Sequence, residues 1–230
     1  MKPVTTVPSR WPRAAVARCL PFLIYMAFLA LNELLARLGW SAADTRWLYA
    51  VRVGAVLAAL ALCWRDYDEL QRWDLTLPAT LCASAAGIVV LVLWLNLGAG
   101  WMTIGSAAGF DPSAADGHID WPLAAVRIGG AALVVPVMEE LFWRSFVMRW
   151  LDHPRFTTID PGAVSVRAIA ISALLFGFEH NLWLAGIVAG LVYAVLYRWQ
   201  RSLWAAVLAH AVTNGLLGVY VVATASWQYW

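Results

Sequence analysis

Stretches of roughly 20 residues with almost no charge recur along this chain, at 17–38, 47–64, 77–97, 121–148, 166–180, 182–199 and 203–223. A helix rises about 1.5 Å per residue and the hydrocarbon core of a bilayer is about 30 Å thick, so most of these runs match a membrane crossing. Only helices and closed barrels satisfy their own backbone in lipid, and the runs lack the alternation of barrel strands. The expectation is an all-α fold, a polytopic integral membrane helical bundle of about seven transmembrane helices. Composition agrees, since 62% hydrophobic and 13% charged residues lie far from the soluble norm of about 45–50% and about 25%. The 230 residues leave no room for a separate soluble domain, so a single membrane domain, 1–230, is expected. A formal charge of +2 with scattered positives argues against nucleic acid as a partner and points to the lipid bilayer.

Trp40, Trp47, Trp64, Trp121, Trp150, Trp199 and Trp204 mark run ends, where amphipathic rings favour the membrane interface. Lys2, Arg10, Arg13, Arg18, Arg65, Arg72, Arg149, Arg155, Arg167, Arg198 and Arg201 fall on one side of a seven-span drawing, with Arg37 and Arg46 on the other. The connection 98–120 contains no Lys or Arg and carries Asp111, Asp116 and Asp120. The positive-inside rule then places the amino terminus in the cytoplasm. The run 17–38 is too long for a signal-peptide core and lacks a small-residue cleavage site, so it reads as an uncleaved first span. Cys19, Cys63 and Cys82 have no CxxC spacing and read as small core residues. Gly186, Gly190 and Ala194, at four-residue spacing, suit close helix packing.

A charged side chain at the centre of a span costs at least about 2.5–3.5 kcal/mol, so the few inside these runs need a reason. In "MEELFWRSF", 138–146, Glu140 and Arg144 share a helix face and would form an ion pair. Glu139 is rotated about 100° away and is left to face a cavity. His180 closes the fifth run in "LLFGFEHNLW", and His210 and Asn214 lie four apart in "LAHAVTNGLL". Counting from Arg149, Arg167 and Arg201, the depths of Glu139, His180 and His210 are roughly 15, 20 and 14 Å, close enough to share a layer. Each residue has a bland reading: an interfacial anchoring cluster, a histidine strut, or an asparagine tie worth about 0.6–2 kcal/mol. Together they supply a base, a proton-handling imidazole and neutral donors, the set that activates water and stabilises an oxyanion. His118 and His153 fall in loops and read as solvated; Glu179 points off the His180 face, towards a loop or lipid-facing donor.

"EELFWR" resembles the EExxxR motif, Phe176 to His180 the FxxxH motif and His210 to Asn214 the HxxxN motif of the CAAX-protease and bacteriocin-processing (CPBP) family, of the Ras-converting-enzyme type. The motifs stand in order on three runs, and the resemblance covers 121–230, leaving 1–120 as amino-terminal spans without a recognised motif. The chain is also similar in size to a bacterial CAAX prenyl protease-related branch. The resemblance implies an intramembrane endopeptidase acting on a membrane-associated protein or peptide, a lipid-anchored one included, in a bacterial inner membrane. Glu139 would then be the general base, with His180 holding the same water. His210 and Asn214 would donate to the carbonyl oxygen, supported by the Glu140–Arg144 pair and, within its motif, Phe176. "CAAX" enters as a family name and not as a predicted substrate.

Glu139, His180 and His210 could also supply three ligands to zinc. The absence of HExxH, and of a further acid to act as base, favours a reaction with no metal and no other cofactor. A different class of reading makes the same residues a proton relay or ligand site without catalysis, and a third makes the chain an inactive scaffold. Asn214 separates catalysis from proton relay, because a proton path has no use for a fixed neutral donor one turn from His210.

Overall fold

The computed structural model describes residues 12–105, 109–114 and 116–230. Lys2 and Arg10, used above for orientation, lie outside the described residues. Seven principal helices follow the predicted runs closely: α1 Arg13–Arg37, α2 Leu48–Leu62, α3 Leu77–Asn96, α4 Trp121–Met148, α5 Val166–Phe178, α6 Trp183–Gln200 and α7 Leu203–Thr224. Five segments are long and apolar enough to cross a membrane, α1, Ala42–Leu62 (which includes α2), α3, α4 and α7, while α5 is a shorter apolar helix. Among the described residues no strand forms; Ser113 and Ile119 make an isolated bridge.

Helix starts are set by side chains that accept from otherwise unpaired amides. Thr76 caps α3 through Ala79 N–H, Asp120 caps α4 through Leu123 N–H and Ser165 caps α5 through Ala168 N–H. Large apolar side chains remain exposed along the helix flanks, Leu23 and Leu34 on α1 and Leu81 and Val89 on α3 among them, as a lipid-facing surface requires.

α4 is not the uniform helix its hydropathy suggests. Gly130–Val134 and Leu141–Met148 are π-helical, and the α-helical turn Val135–Glu140 lies between them. Pro136 lies just after the first widened turn, where a missing N–H and a bulky ring are most easily accommodated. These widened turns change the rotation per residue, so the face on which Glu139 and Glu140 sit is set by backbone irregularity as well as by spacing.

Small residues bring the helices together. On α6, a Cβ on Gly186 would lie 2.9 Å from Gly177 Cα and one on Gly190 would lie 3.1 Å from Ala173 Cα, so this stripe seats α6 on α5. On α3, a Cβ on Gly87 would come within 2.3 Å of the Ala209 carbonyl oxygen, and that contact lies one residue from His210.

The end of the bundle holding Arg13 and Arg149 is tied by polar contacts. Arg18, 2% exposed, pairs with Glu69 at 2.6 Å and donates from Nε to Ser145 at 2.7 Å. Ser145 in turn donates to Glu69. Arg18 is therefore a buried structural cation and not merely an interfacial marker. Burial raises the Glu69 carboxyl, but the Arg18 charge and the hydrogen bonds from Arg18 and Ser145 outweigh it and hold the group below the ordinary 4.5. A depressed folded value contributes stability that is fully present above the unfolded value and lost as pH falls through the folded one. In detergent, the gap in melting temperature between the native chain and Glu69→Gln is therefore expected to be widest above about pH 5 and to shrink below about pH 4. A gap constant across that range would disprove the linkage.

Candidate active site

Glu139 and Glu140 are both buried, at 5% and 0% exposure, yet their surroundings differ completely. Glu140 Oε2 lies 3.0 Å from Arg144 Nε, as the i,i+4 spacing predicted. The contact is a charge pairing more than an aligned hydrogen bond, since neither atom has a hydrogen-bond partner in good geometry. Arg144 Nη2 donates to Gly190 O at 3.1 Å and Cζ lies 4.5 Å from the Phe176 ring centre, while Nη1 is buried without a hydrogen-bond partner. Glu140 also does something that spacing alone could not reveal: its Oε1 lies 2.9 Å from His210 Nδ1. Glu139 Oε2, by contrast, is buried with no hydrogen-bond partner.

His180 differs from its expected place inside a span. α5 stops at Phe178, and Glu179 to Leu182 reverse the chain into α6. The reversal is clamped to the α3–α4 connection, because Asn181 accepts from Ile104 N–H at 2.8 Å and its side chain donates to Ile104 O at 2.9 Å. A 13-residue helix covers only about 20 Å, so the turn lies short of a full crossing. Such a backbone is tolerated at membrane depth where it lines a cavity. His180 Nδ1 faces Phe176 O at 2.8 Å. A carbonyl only accepts, so Nδ1 carries a proton, and in the neutral form of the ring Nε2 is left as an acceptor. Trp94 packs edge-on against the ring.

Asn214 sits one turn beyond His210 and donates from Nδ2 to Ala131 O at 2.9 Å, inside the first π-helical segment of α4. Its second N–H remains available. Tyr193 stacks on the His210 ring at 4.9 Å and donates to Thr213, which donates to Gly87 O and Ala209 O, holding α3, α6 and α7 in register. Glu179, expected to meet a loop or lipid-facing donor, instead accepts from Nε1 of the buried Trp143 on α4 at 3.0 Å.

A cavity of about 170 Å³ is lined by Glu139, His180, His210 and Asn214 together, along with Phe176 and Tyr193. It adjoins a larger space of about 590 Å³ that shares Glu139 and His180 and is bordered by Glu179, by Gly98 and Thr103 of the α3–α4 connection, and by Gln228 to Trp230. Arg127, Tyr25 and Trp94 also line both spaces, and none of them was singled out from sequence. His118 is exposed and His153, half-buried, accepts from Arg155 N–H, so both stay outside the site. Cys19, Cys63 and Cys82 are free. As for zinc, no group of three or more His, Cys, Asp or Glu side chains placed to hold a metal ion occurs among the described residues.

Fold and cavity define a polytopic membrane protein with a charged, partly enclosed chamber inside its helix bundle. Residues 121–216, from the start of α4 into the last turns of α7, match the family model of the Rce1-like proteins, described as type II CAAX prenyl endopeptidase Rce1-like. The match supports the CAAX-protease and bacteriocin-processing family for this segment, which contains Glu139, Glu140, Arg144, Phe176, His180, His210 and Asn214. No curated protein and no solved structure matches the chain.

Proposed function

We propose that the chain hydrolyses a peptide bond of a membrane-associated substrate with water activated by Glu139 and His180, and with His210 and Asn214 as oxyanion donors. The observation that carries this reading is the buried, unpartnered carboxylate oxygen of Glu139 in the cavity that the other three line. A buried charge without a partner is costly, and a water to deprotonate is a purpose that offsets the cost. Glu139 takes one water proton while Nε2 of His180 accepts the other hydrogen, which aims the water's lone pair at the scissile carbonyl. As the tetrahedral centre forms, Asn214 donates its second N–H to the oxyanion. His210 donates from Nε2 in the form in which that nitrogen carries a proton, its ring held at Nδ1 by the Glu140 carboxylate. Collapse breaks the C–N bond, and the proton held by Glu139 passes to the departing amine.

In this metal-free reading Glu140 and Phe176 O hold the two imidazoles at Nδ1, and the carboxylate left over, Glu139, is the one a water attack needs. The larger space is bordered by Tyr25 and Leu29 of α1 and Trp94 of α3, so a substrate with an apolar or lipidated segment would enter sideways between these helices. In this reading the membrane is a bacterial inner membrane and the amino terminus is cytoplasmic.

The test uses the full chain in phosphatidylcholine vesicles with a panel of membrane-inserted, internally quenched peptides. Asn214→Ala is expected to lower kcat by about 10²–10³-fold with KM little changed, the loss of one oxyanion donor. A proton relay would leave its flux intact in that variant, and unimpaired hydrolysis by Asn214→Ala would remove this residue from the mechanism.

A further inference from the structure

The small chamber at Glu139 and the larger space beside it share a rim. Glu139 and His180 stand on it, and apart from Arg127 the rest is aromatic: Tyr25 of α1, Trp94 of α3, and Tyr229 and Trp230 beyond α7. Trp230, with Tyr25 and Arg127, also borders a third space of about 400 Å³. Unlike those two it is carried on a turn and not on a long helix, and the turn is held in place at several points. α7 ends at Thr224, and Ala225 then takes φ 51°, the left-handed conformation that glycine usually supplies at a helix end. Ser226 N–H returns to Val221 O at 3.1 Å, and the chain doubles back to set the Trp230 ring centre 5.9 Å from Arg127 Cζ. Trp227 O comes so near the α3–α4 connection that a Cβ on Gly109, itself at φ 73°, would lie 3.0 Å from it. The Trp230 ring centre lies 5.6 Å from that of Trp227 and 6.2 Å from that of Phe110. A residue with a Cβ held left-handed, and a glycine required at the contact, mark a placement kept against local strain.

We propose that Trp230 is a specificity-determining wall, which limits the bulk of the one substrate side chain that enters the chamber beside Glu139. The proposal rests on the hydrolase reading, because it is the attacked bond at Glu139 and His180 that brings a side chain to this rim. A cavity of about 150 Å³ holds a single benzene ring. The chamber, at about 170 Å³, therefore has room for the amide, its water and a small side chain. Bulk forced against a packed wall displaces rotamers or backbone, and binding weakens accordingly. Without the Trp230 ring the chamber would open into the spaces of about 590 and 400 Å³, and a large side chain would fit with no helix displaced. Trp230 lies outside the segment 121–216 that matches the family model, so the size limit is set by a part of the chain separate from the three motifs.

The experiment reads binding apart from turnover. The full-length Glu139→Gln chain in phosphatidylcholine nanodiscs is titrated with fluorescent peptides of one Ala-rich apolar sequence, in which a single Phe replaces each Ala in turn. Phe is expected to weaken binding about tenfold or more at one position and less than about threefold elsewhere. In Glu139→Gln/Trp230→Ala the penalty at that position is expected to fall to about threefold or less, with Glu139→Gln/Trp230→Phe between the two. The graded Phe variant keeps a ring on the turn, and melting temperatures identify any variant that has merely unfolded. A parent chain that binds all the peptides alike, or none, overturns the wall. So does a penalty untouched by Trp230→Ala, or one relaxed equally at every position, which would mean a general loosening of the bundle. Cleavage of the same peptides by the native chain separates the two claims. If it cuts none of them while the positional penalty and its relief are both seen, the hydrolase reading fails and the wall stands; cleavage with no positional penalty does the reverse.

Discussion

Glu139→Gln is expected to slow peptide hydrolysis by about 10²–10⁴-fold while leaving the melting temperature unchanged or raised. The two halves of that result come from one observation. Glu139 Oε2 is buried and has no hydrogen-bond partner, so the neutral amide keeps the shape and forfeits no contact. The isolated buried charge, which opposes folding, disappears. Hydrolysis loses the one carboxylate that, among the described residues, lines the chamber, Glu140 being engaged by Arg144 and His210. The measurement pairs quenched-peptide turnover with thermal unfolding of the same preparation. Retained turnover would refute the assignment of the base, and a lost fold would refute the claim that Glu139 is structurally idle.

Arg144→Ala should behave in the opposite way, costing about 3–5 kcal/mol of stability because one partner of a buried charge pair is removed and the other stays. Arg144 is 0% exposed and serves Glu140, Gly190 O and the Phe176 ring at once. Its loss leaves Glu140 held by His210 alone, so activity falls as well, through a displaced imidazole. Replacing both charges, as Glu140→Leu/Arg144→Leu, is expected to recover much of the stability but none of the activity, since His210 Nδ1 then has no acceptor. Unfolding midpoints in detergent for the two single variants and the double variant measure the coupling. A double variant no more stable than Arg144→Ala would show that packing around the guanidinium, and not the unpaired carboxylate, sets the cost.

The two outcomes show how unevenly the site was written into the chain. That Glu140 pairs with Arg144 was legible from four-residue spacing, because a helix places such residues on one face. The Glu140–His210 contact was not, since it joins positions 70 residues apart. His180 could be placed only approximately, because α5 ends where Asn181 locks onto the α3–α4 connection, a tertiary event. Tyr229 and Trp230 were visible as aromatic residues beyond the last apolar run. Nothing in their neighbourhood on the chain marks them as walls of the chamber, for that depends on the turn at Ala225 and on which helices surround it. The π-helical turns of α4 escaped a periodicity of 3.6, as a widened turn leaves no mark on hydropathy.

What the sequence by itself determined was the helical membrane class and the seven helix positions. In lipid each backbone segment must satisfy itself locally, so run length and capping residues suffice. Which buried charges are neutralised and which stand alone was decided only when α4, α5, α6 and α7 packed together. Partners for a side chain are supplied across helices, and the free carboxylate of Glu139 is therefore a property of the assembled bundle.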